Sequence, residues 1–182
     1  SPGGEVTLTD ILHHELSEFR KRSQIPLVAS ISSVGASGGY YIALAADEIV
    51  LHPTGIVGSI GVMMMLFNAE GLLEKIGVQS NFITSGELKT IGSPLKKMTP
   101  KEKKILQEIL DYQYEQFLQI VARGRNLSME QVKPLADGRI SSSPQAKENQ
   151  LVDQIGYLQD AINVAATKAG ITNPTVIKYT RR

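Results

Sequence analysis

The stretch Ile31-Ser-Ser-Val-Gly-Ala-Ser-Gly-Gly-Tyr-Tyr41 constrains this chain more than any other. An apolar run from Leu27 leads into it, and a helical pattern leaves it toward Ala46. Ser37 stands at the bend, surrounded by Gly35, Ala36, Gly38 and Gly39. Glycine permits unusual backbone angles and close approach of another segment. The N–H groups that open the following helix have no intrahelical acceptor, so they can hold developing negative charge. An accessible hydroxyl beside such donors is what acyl transfer by serine requires. The same residues also suit a structural turn that packs a helix tightly on a sheet, so the local pattern leaves both readings open.

Around this turn the chain reads as alternating strands and helices. Leu27–Ser33, after Pro26, is a short apolar run of the kind that forms a strand buried on both faces. Ile49–His52 is a second strand, closed by Pro53-Thr54-Gly55. Ile56–Gly61 is punctuated by glycine, and Val62–Phe67 and Val78–Thr84 predict further strands. Between the last two, Asn68 can cap a short helix that Gly77 ends. Ahead of them all, Val6, Leu8, Ile11, Leu12, Leu16 and Phe19 recur at helical spacing, with Glu15, Glu18, Arg20 and Lys21 on the other side. His13 and His14 fall in this helix and read as part of its polar face. The alternation predicts an α/β fold, a parallel sheet with helices packed on it.

The second half is mostly helical. Ser85–Met98 is a long polar loop, and loops of that size are usually functional or mobile. Thr99-Pro100-Lys101-Glu102 combines a capping box with proline at the first helical position, opening a long helix to about Arg123. Ser128-Met-Glu-Gln131 and Ser143-Pro144 begin two short helices. Tyr157–Ala169 is a last amphipathic helix ended by Gly170, and Val176–Tyr179 predicts a terminal strand. Lys96, Lys97, Lys101, Lys103 and Lys104 form a basic cluster, read as a solvated face with acidic lipid headgroups as the alternative partner.

Composition removes several function classes. A net charge of +1 gives no reason to expect a nucleic-acid partner. The absence of cysteine rules out disulfides, thiol catalysis and thiolate metal sites. Three histidines (His13, His14 and His52) without HExxH spacing make a metal site an unsupported expectation, so no metal and no cofactor is expected. No run of about 18 apolar residues is present to span a bilayer. The start at Ser1-Pro2-Gly3-Gly4, without methionine, reads as a fragment of a larger protein, and the strand that such a turn would follow is expected outside it.

A serine nucleophile needs a base. His52 follows the Ser37 helix closely, but no acid is placed to orient it. Lys89, in Ser85-Gly-Glu-Leu-Lys89, is the alternative. A lysine acts as a base only when neutral, a state that burial in an apolar cleft favours. Spacing by itself does not separate Lys89 from an ordinary surface lysine.

Six motifs occur in order: Ser1-Pro-Gly-Gly4; Gly35-Ala-Ser-Gly-Gly-Tyr-Tyr41; Gly58-Ser-Ile-Gly-Val62; Ser85-Gly-Glu-Leu-Lys89 with Gly92-Ser-Pro94 and Met98-Thr99; Ala136-Asp-Gly-Arg139; and Leu151-Val-Asp-Gln-Ile-Gly156. Together they resemble the signal peptide peptidase A (protease IV) family over nearly the whole chain. The resemblance implies a Clp-protease/crotonase type of α/β fold, with parallel sheet layers, flanking helices and a long helix in the C-terminal half. It implies one peptidase domain over residues 1–182, with a catalytic core to about residue 98 and a helical extension beyond. It further implies a serine–lysine dyad, with Ser37 as nucleophile, Lys89 as general base and Ser59 orienting the lysine amine. The oxyanion hole would use the backbone N–H of Gly38 with one from Gly3 or Gly4. Met63, Met64 and Met65 read as core, or as walls of an apolar substrate pocket. The implied substrates are remnant signal peptides and other apolar peptides. The implied setting is the bacterial cytoplasmic membrane, with the catalytic part outside the cytoplasm, held by an anchor absent from this chain. A homo-oligomer that shares its active sites between subunits is expected by analogy.

Three rivals remain at this level. A crotonase-like acyl-CoA enzyme would leave Ser37 dispensable. A non-catalytic oligomeric scaffold would tolerate loss of both Ser37 and Lys89. A Ser–His–Asp peptidase would depend on His52.

Overall fold

The computed structural model describes residues 1–180. They form two compact units, one of Ser1–Gly61 with the described residues from Gln116 on, the other of Val62–Glu115.

The first unit is built on two small sheets. Strands β1 (Val28–Ile31), β3 (Glu48–Leu51) and β6 (Gln154–Ile155) form one, all parallel, in the order β1-β3-β6. Strands β2 (Val34–Ala36), β4 (Ile56–Gly58) and β5 (Ile140–Ser142) form the other, with β2 and β4 parallel and β5 antiparallel to β4. The expected strand from Leu27 to the Ser37 bend is therefore split between two sheets. The same two chain runs pair twice, with Ile31 beside Leu51 and Val34 beside Ile56. One run advances 3 residues (34 − 31) where the other advances 5 (56 − 51), so two extra residues bulge out at His52–Gly55 and break the ladder. The Ile31 carbonyl still accepts from His52 and the Ser33 carbonyl from Ile56, which keeps the two runs together through the break.

Helix α1 (Val6–Ser23) packs against α2 (Gly38–Ala43), though not by its apolar stripe. Thr9 is buried, and His13, Leu16, Ser17 and Arg20 are half-buried, whereas Leu8, Ile11, Leu12 and Phe19 are exposed. The reason is local chemistry on α2. Gly38 accepts only a short side chain from α1, the Tyr41 hydroxyl donates to Asp10 Oδ1 at 2.6 Å, and the His13 ring meets the Tyr41 ring edge-on at 5.2 Å. The core of the unit gathers Tyr40, Ile49, Val50, Leu51, Val57, Ile60, Leu118 and Val121, all buried. Tyr40 donates its hydroxyl to the Leu151 carbonyl at 2.7 Å, so its polar end is satisfied inside. Arg125 forks onto Asp153 at 2.8 and 2.9 Å, and Asp153 also accepts from the Ile49 N–H. Short helices α5 (Met129–Val132) and α6 (Ser143–Glu148) begin with capping boxes, and α7 (Leu158–Lys168) ends before Gly170 at φ 70°.

The second unit contains α3 (Glu70–Lys75), a 3-10 turn at Glu87–Thr90 and the first turns of α4 (Pro100–Arg125). Val62–Phe67 and Val78–Thr84 are not strands, and neither is Val176–Tyr179 in the first unit. None has a strand partner among the described residues, and an unpaired apolar segment has no ladder to hold it extended. Met63, Met64 and Met65 are not core residues either, being 81%, 42% and 65% exposed. Glu102 is the one buried residue between Val62 and Glu115. It closes the predicted capping box with Thr99 and pairs with Lys96 at 2.5 Å. Lys101 pairs with Glu87 and Lys104 with Glu108, so three lysines of the basic cluster face carboxylates. Among the described residues no helix is long and apolar enough to cross a membrane.

Candidate active site

Ser37 links β2 to α2 with φ 49° and ψ −124°, in the left-handed half of backbone space. A non-glycine residue holds such angles only where its surroundings enforce them. Here its N–H donates to the Gly58 carbonyl at 2.8 Å, and its own carbonyl accepts from Tyr40 and Tyr41, each at 3.0 Å. The backbone is thus pinned on both sides. The side chain does not cap α2, and the hydroxyl has no hydrogen-bond partner among the described residues. Gly38 N–H likewise has no acceptor among them.

The N-terminal segment lies against this turn. The Ser1 N donates to the Val34 carbonyl and the Ser1 carbonyl accepts from Ala36, so the segment pairs with β2. This carries Gly3 onto Ser37. A Cβ built on Gly3 would lie 2.9 Å from Ser37 Cβ, 3.1 Å from Ser37 Oγ and 3.2 Å from Gly38 N. Gly3 has φ 122°, so glycine is required there both for space and for conformation. The Gly3 N–H is directed to Ser1 Oγ at 3.3 Å, whereas Gly4 N–H has no acceptor among the described residues. Gly4 N lies 3.1 Å from the point that a Gly38 Cβ would occupy.

Ser59 follows β4 as Ser37 follows β2. The register pairs Ala36 with Gly58, which sets Ser37 and Ser59 at neighbouring strand ends. Ser59 is half-buried with φ 50°, and its N–H donates to the Arg139 carbonyl at 2.7 Å.

The fold therefore gathers Ser37, Gly38, Gly3 and Gly4, with Ser59 on the adjoining strand end. Lys89 belongs to the second unit, exposed on the 3-10 turn Glu87–Thr90, and its ammonium pairs with no carboxylate among the described residues. That turn is anchored by the Lys89 N–H to the Gly86 carbonyl and by Glu87 to Lys101 at 2.8 Å. Met63, Met64 and Met65 also belong to the second unit. A cavity of about 340 Å³ there is lined by Leu73, Val78, Phe82, Leu95 and polar neighbours, not by these methionines.

His52 is occupied elsewhere. Its Nδ1 lies 2.9 Å from Thr54 Oγ1 and accepts from the Thr54 N–H, and its ring meets the edge of Tyr157. No carboxylate is bonded to it among the described residues, in keeping with the missing orienting acid in the sequence.

One residue of this site was not anticipated. Thr9 of α1 is buried, with Oγ1 2.6 Å from the point where a Gly38 Cβ would stand. The signal was present in the sequence, since Thr9 is the small polar residue on the α1 face that also carries His13 and Leu16. The apolar stripe beside it outweighed that signal.

Comparison with known proteins adds the following. Residues 19–172 match peptidase family S49. A protein of Enterococcus faecium, named as a candidate signal peptide peptidase SppA, is 41% identical over 179 residues, covering 98% of this chain and 52% of that protein. Protease 4 of Salmonella typhi is 35% identical over 169 residues, 93% of this chain and 27% of its own length. The chloroplastic serine protease SPPA of Arabidopsis thaliana is 33% identical over 172 residues, 94% of this chain and 25% of its own length. The chain thus spans about half the length of the first relative and about a quarter of the other two. Among solved structures, an enoyl-CoA hydratase/isomerase family member aligns with 87% of this chain and 41% of its own at 16% identity and a TM-score of 0.43, a likeness that adds nothing to the α/β layering described above.

Proposed function

This chain belongs to peptidase family S49, and from that premise we propose that it cleaves peptide bonds by acyl transfer, with Ser37 as nucleophile and Lys89 as general base. The observation that carries this reading is the Ser37 turn, where a hydroxyl at a left-handed bend lies beside the N–H groups of Gly38 and Gly4, all three without a hydrogen-bond partner among the described residues. Two backbone donors close to a nucleophile suit a tetrahedral oxyanion. Of the two glycines expected to pair with Gly38, Gly4 is the better donor, since Gly3 N–H is directed to Ser1.

In the proposed reaction neutral Lys89 takes the Ser37 proton as Oγ attacks the peptide carbonyl. The oxygen of that carbonyl becomes an oxyanion between Gly38 and Gly4. Lys89 returns the proton to the leaving amine, and water activated by the same amine then releases the acyl group. Ser59 serves as the hydroxyl that orients the amine. Lys89 must be desolvated to be neutral near pH 7, and in the single chain it is exposed. We therefore assign the missing cover to a second copy of the chain. The exposed Met63–Phe67, Leu72, Ile76 and Phe82 of the second unit, and Leu8, Ile11 and Leu12 of α1, support an assembly that buries them. Apolar peptides, including remnant signal peptides at the bacterial cytoplasmic membrane on its outer side, are the proposed substrates.

The test is hydrolysis of a fluorogenic apolar peptide by the parent and by its Ser37→Ala, Lys89→Ala and His52→Ala variants. The expected result is loss of activity in the first two and retention in the third. Activity kept by Lys89→Ala would overturn the lysine base. Activity kept by Ser37→Ala would overturn serine catalysis.

A further inference from the structure

We propose that the Thr9 hydroxyl is a third hydrogen-bond donor to the oxyanion, beside the N–H groups of Gly38 and Gly4. This rests on the reading of Ser37 as nucleophile. Thr9 is 6% exposed, yet its Oγ1 is not sealed from solvent, because no buried side-chain polar atom among the described residues lacks a hydrogen-bond partner. Thr9 Oγ1 has none among the described residues, although its backbone N–H bonds normally to the Glu5 carbonyl. Its surroundings say what that hydroxyl can reach. The place where a Gly38 Cβ would stand is 2.6 Å from Thr9 Oγ1 and 3.1 Å from Gly4 N, and it adjoins Gly38 N by covalent geometry. Three groups able to donate therefore lie around one small space next to Ser37, and a side chain at position 38 would fill it.

The rest of α1 holds Thr9 there. One residue on, Asp10 accepts from the Tyr41 hydroxyl at 2.6 Å, and one turn on, His13 meets the Tyr41 ring. Tyr41 lies in α2, the helix that starts at Gly38. The hydroxyl is thus held by packing and loses little freedom when the oxyanion forms, which is the condition under which such a donor is effective.

The experiment compares the parent with Thr9→Val, Thr9→Ser and Ser37→Ala in the full-length protein. Valine keeps the shape and removes the hydroxyl, whereas serine keeps the hydroxyl. Peptide hydrolysis is measured together with affinity for a peptide aldehyde. In the aldehyde complex Ser37 Oγ bonds to the carbonyl carbon, the C=O π pair moves onto oxygen, the serine proton passes to the base and no group leaves. The expected result for Thr9→Val is a fall in kcat on the order of ten- to a hundredfold with KM nearly unchanged, and a matching loss of aldehyde affinity. Thr9→Ser should restore most of both, and thermal midpoints should stay near the parent's. Parental kcat and aldehyde affinity in Thr9→Val would overturn the proposal while Ser37→Ala remains inactive. Equal losses in Thr9→Val and Thr9→Ser, tracking a lowered Tm, would also overturn it and leave Thr9 as packing. An active Ser37→Ala would instead remove the serine reading, and the Thr9 proposal with it.

Discussion

The Ser37 N–H donates to the Gly58 carbonyl at 2.8 Å, joining the bend that ends β2 to the bend that ends β4. Both bends are left-handed, with Ser37 at φ 49° and Ser59 at φ 50°. The bond makes the candidate nucleophile depend on a strand end 21 residues downstream (58 − 37). Gly58 itself has φ 105°, and a Cβ there would meet the Arg139 carbonyl at 2.8 Å. Gly58→Ala is therefore expected to lower stability by about 1–3 kcal/mol and to slow labelling of Ser37 by a fluorophosphonate. Thermal denaturation and mass spectrometry of the labelled protein check the two effects.

Gly38→Ala should separate catalysis from folding. The added methyl enters the space shared by Thr9 Oγ1 and Gly4 N. Crowding of this kind costs about 1–3 kcal/mol of stability. The loss in kcat should be larger, on the order of a hundredfold, because the same methyl displaces the oxyanion donors. The comparison is kcat and Tm for the parent and the variant. A variant with full activity would place the oxyanion elsewhere.

The Arg125–Asp153 fork makes an acid-sensitive clasp between α4 and the approach to β6. Burial alone would raise the Asp153 pKa, but the Arg125 guanidinium and the Ile49 N–H outweigh it, and the carboxyl titrates below its ordinary value. A carboxyl whose pKa is lower in the folded state stabilises above its unfolded value of about 4, and that stability is lost as pH falls through the folded value. Asp153→Asn is expected to cost about 2–4 kcal/mol at neutral pH. The difference from the parent should shrink below about pH 4. Denaturant midpoints measured from neutral pH down through that range would show it, and a gap that stayed constant would contradict the assignment.

Sharing of sites between subunits predicts complementation. Ser37→Ala and Lys89→Ala proteins should each be inactive alone and regain activity when assembled together. Parental activity should fall on dilution below the assembly threshold. Full peptidase activity in a species shown by light scattering to be monomeric would exclude a shared site.

Much of this protein was legible in the order of its residues. The Thr99/Glu102 capping box, the starts at Ser128 and near Ser143, the helix stops at Gly77 and Gly170, and the sharp bend at Ser37 all appear where local chemistry puts them. Each depends on groups within a few residues of one another, so one-dimensional spacing captures the interaction. Strand pairing and helix facing were not legible in the same way. Val62–Phe67 and Val78–Thr84 look like strands, yet a strand exists only where a second segment completes its hydrogen bonds, and none of the described residues does so. The apolar stripe of α1 looks like its buried face, yet Gly38 and Tyr41 on α2 select Thr9, Asp10 and His13 instead. The sequence by itself determined the helix ends, the α/β character and a serine at a bend. Only the tertiary structure decided that Gly58 anchors that serine and that Gly3, Gly4 and Thr9 surround it, because these contacts join residues that are distant along the chain and adjacent only after folding.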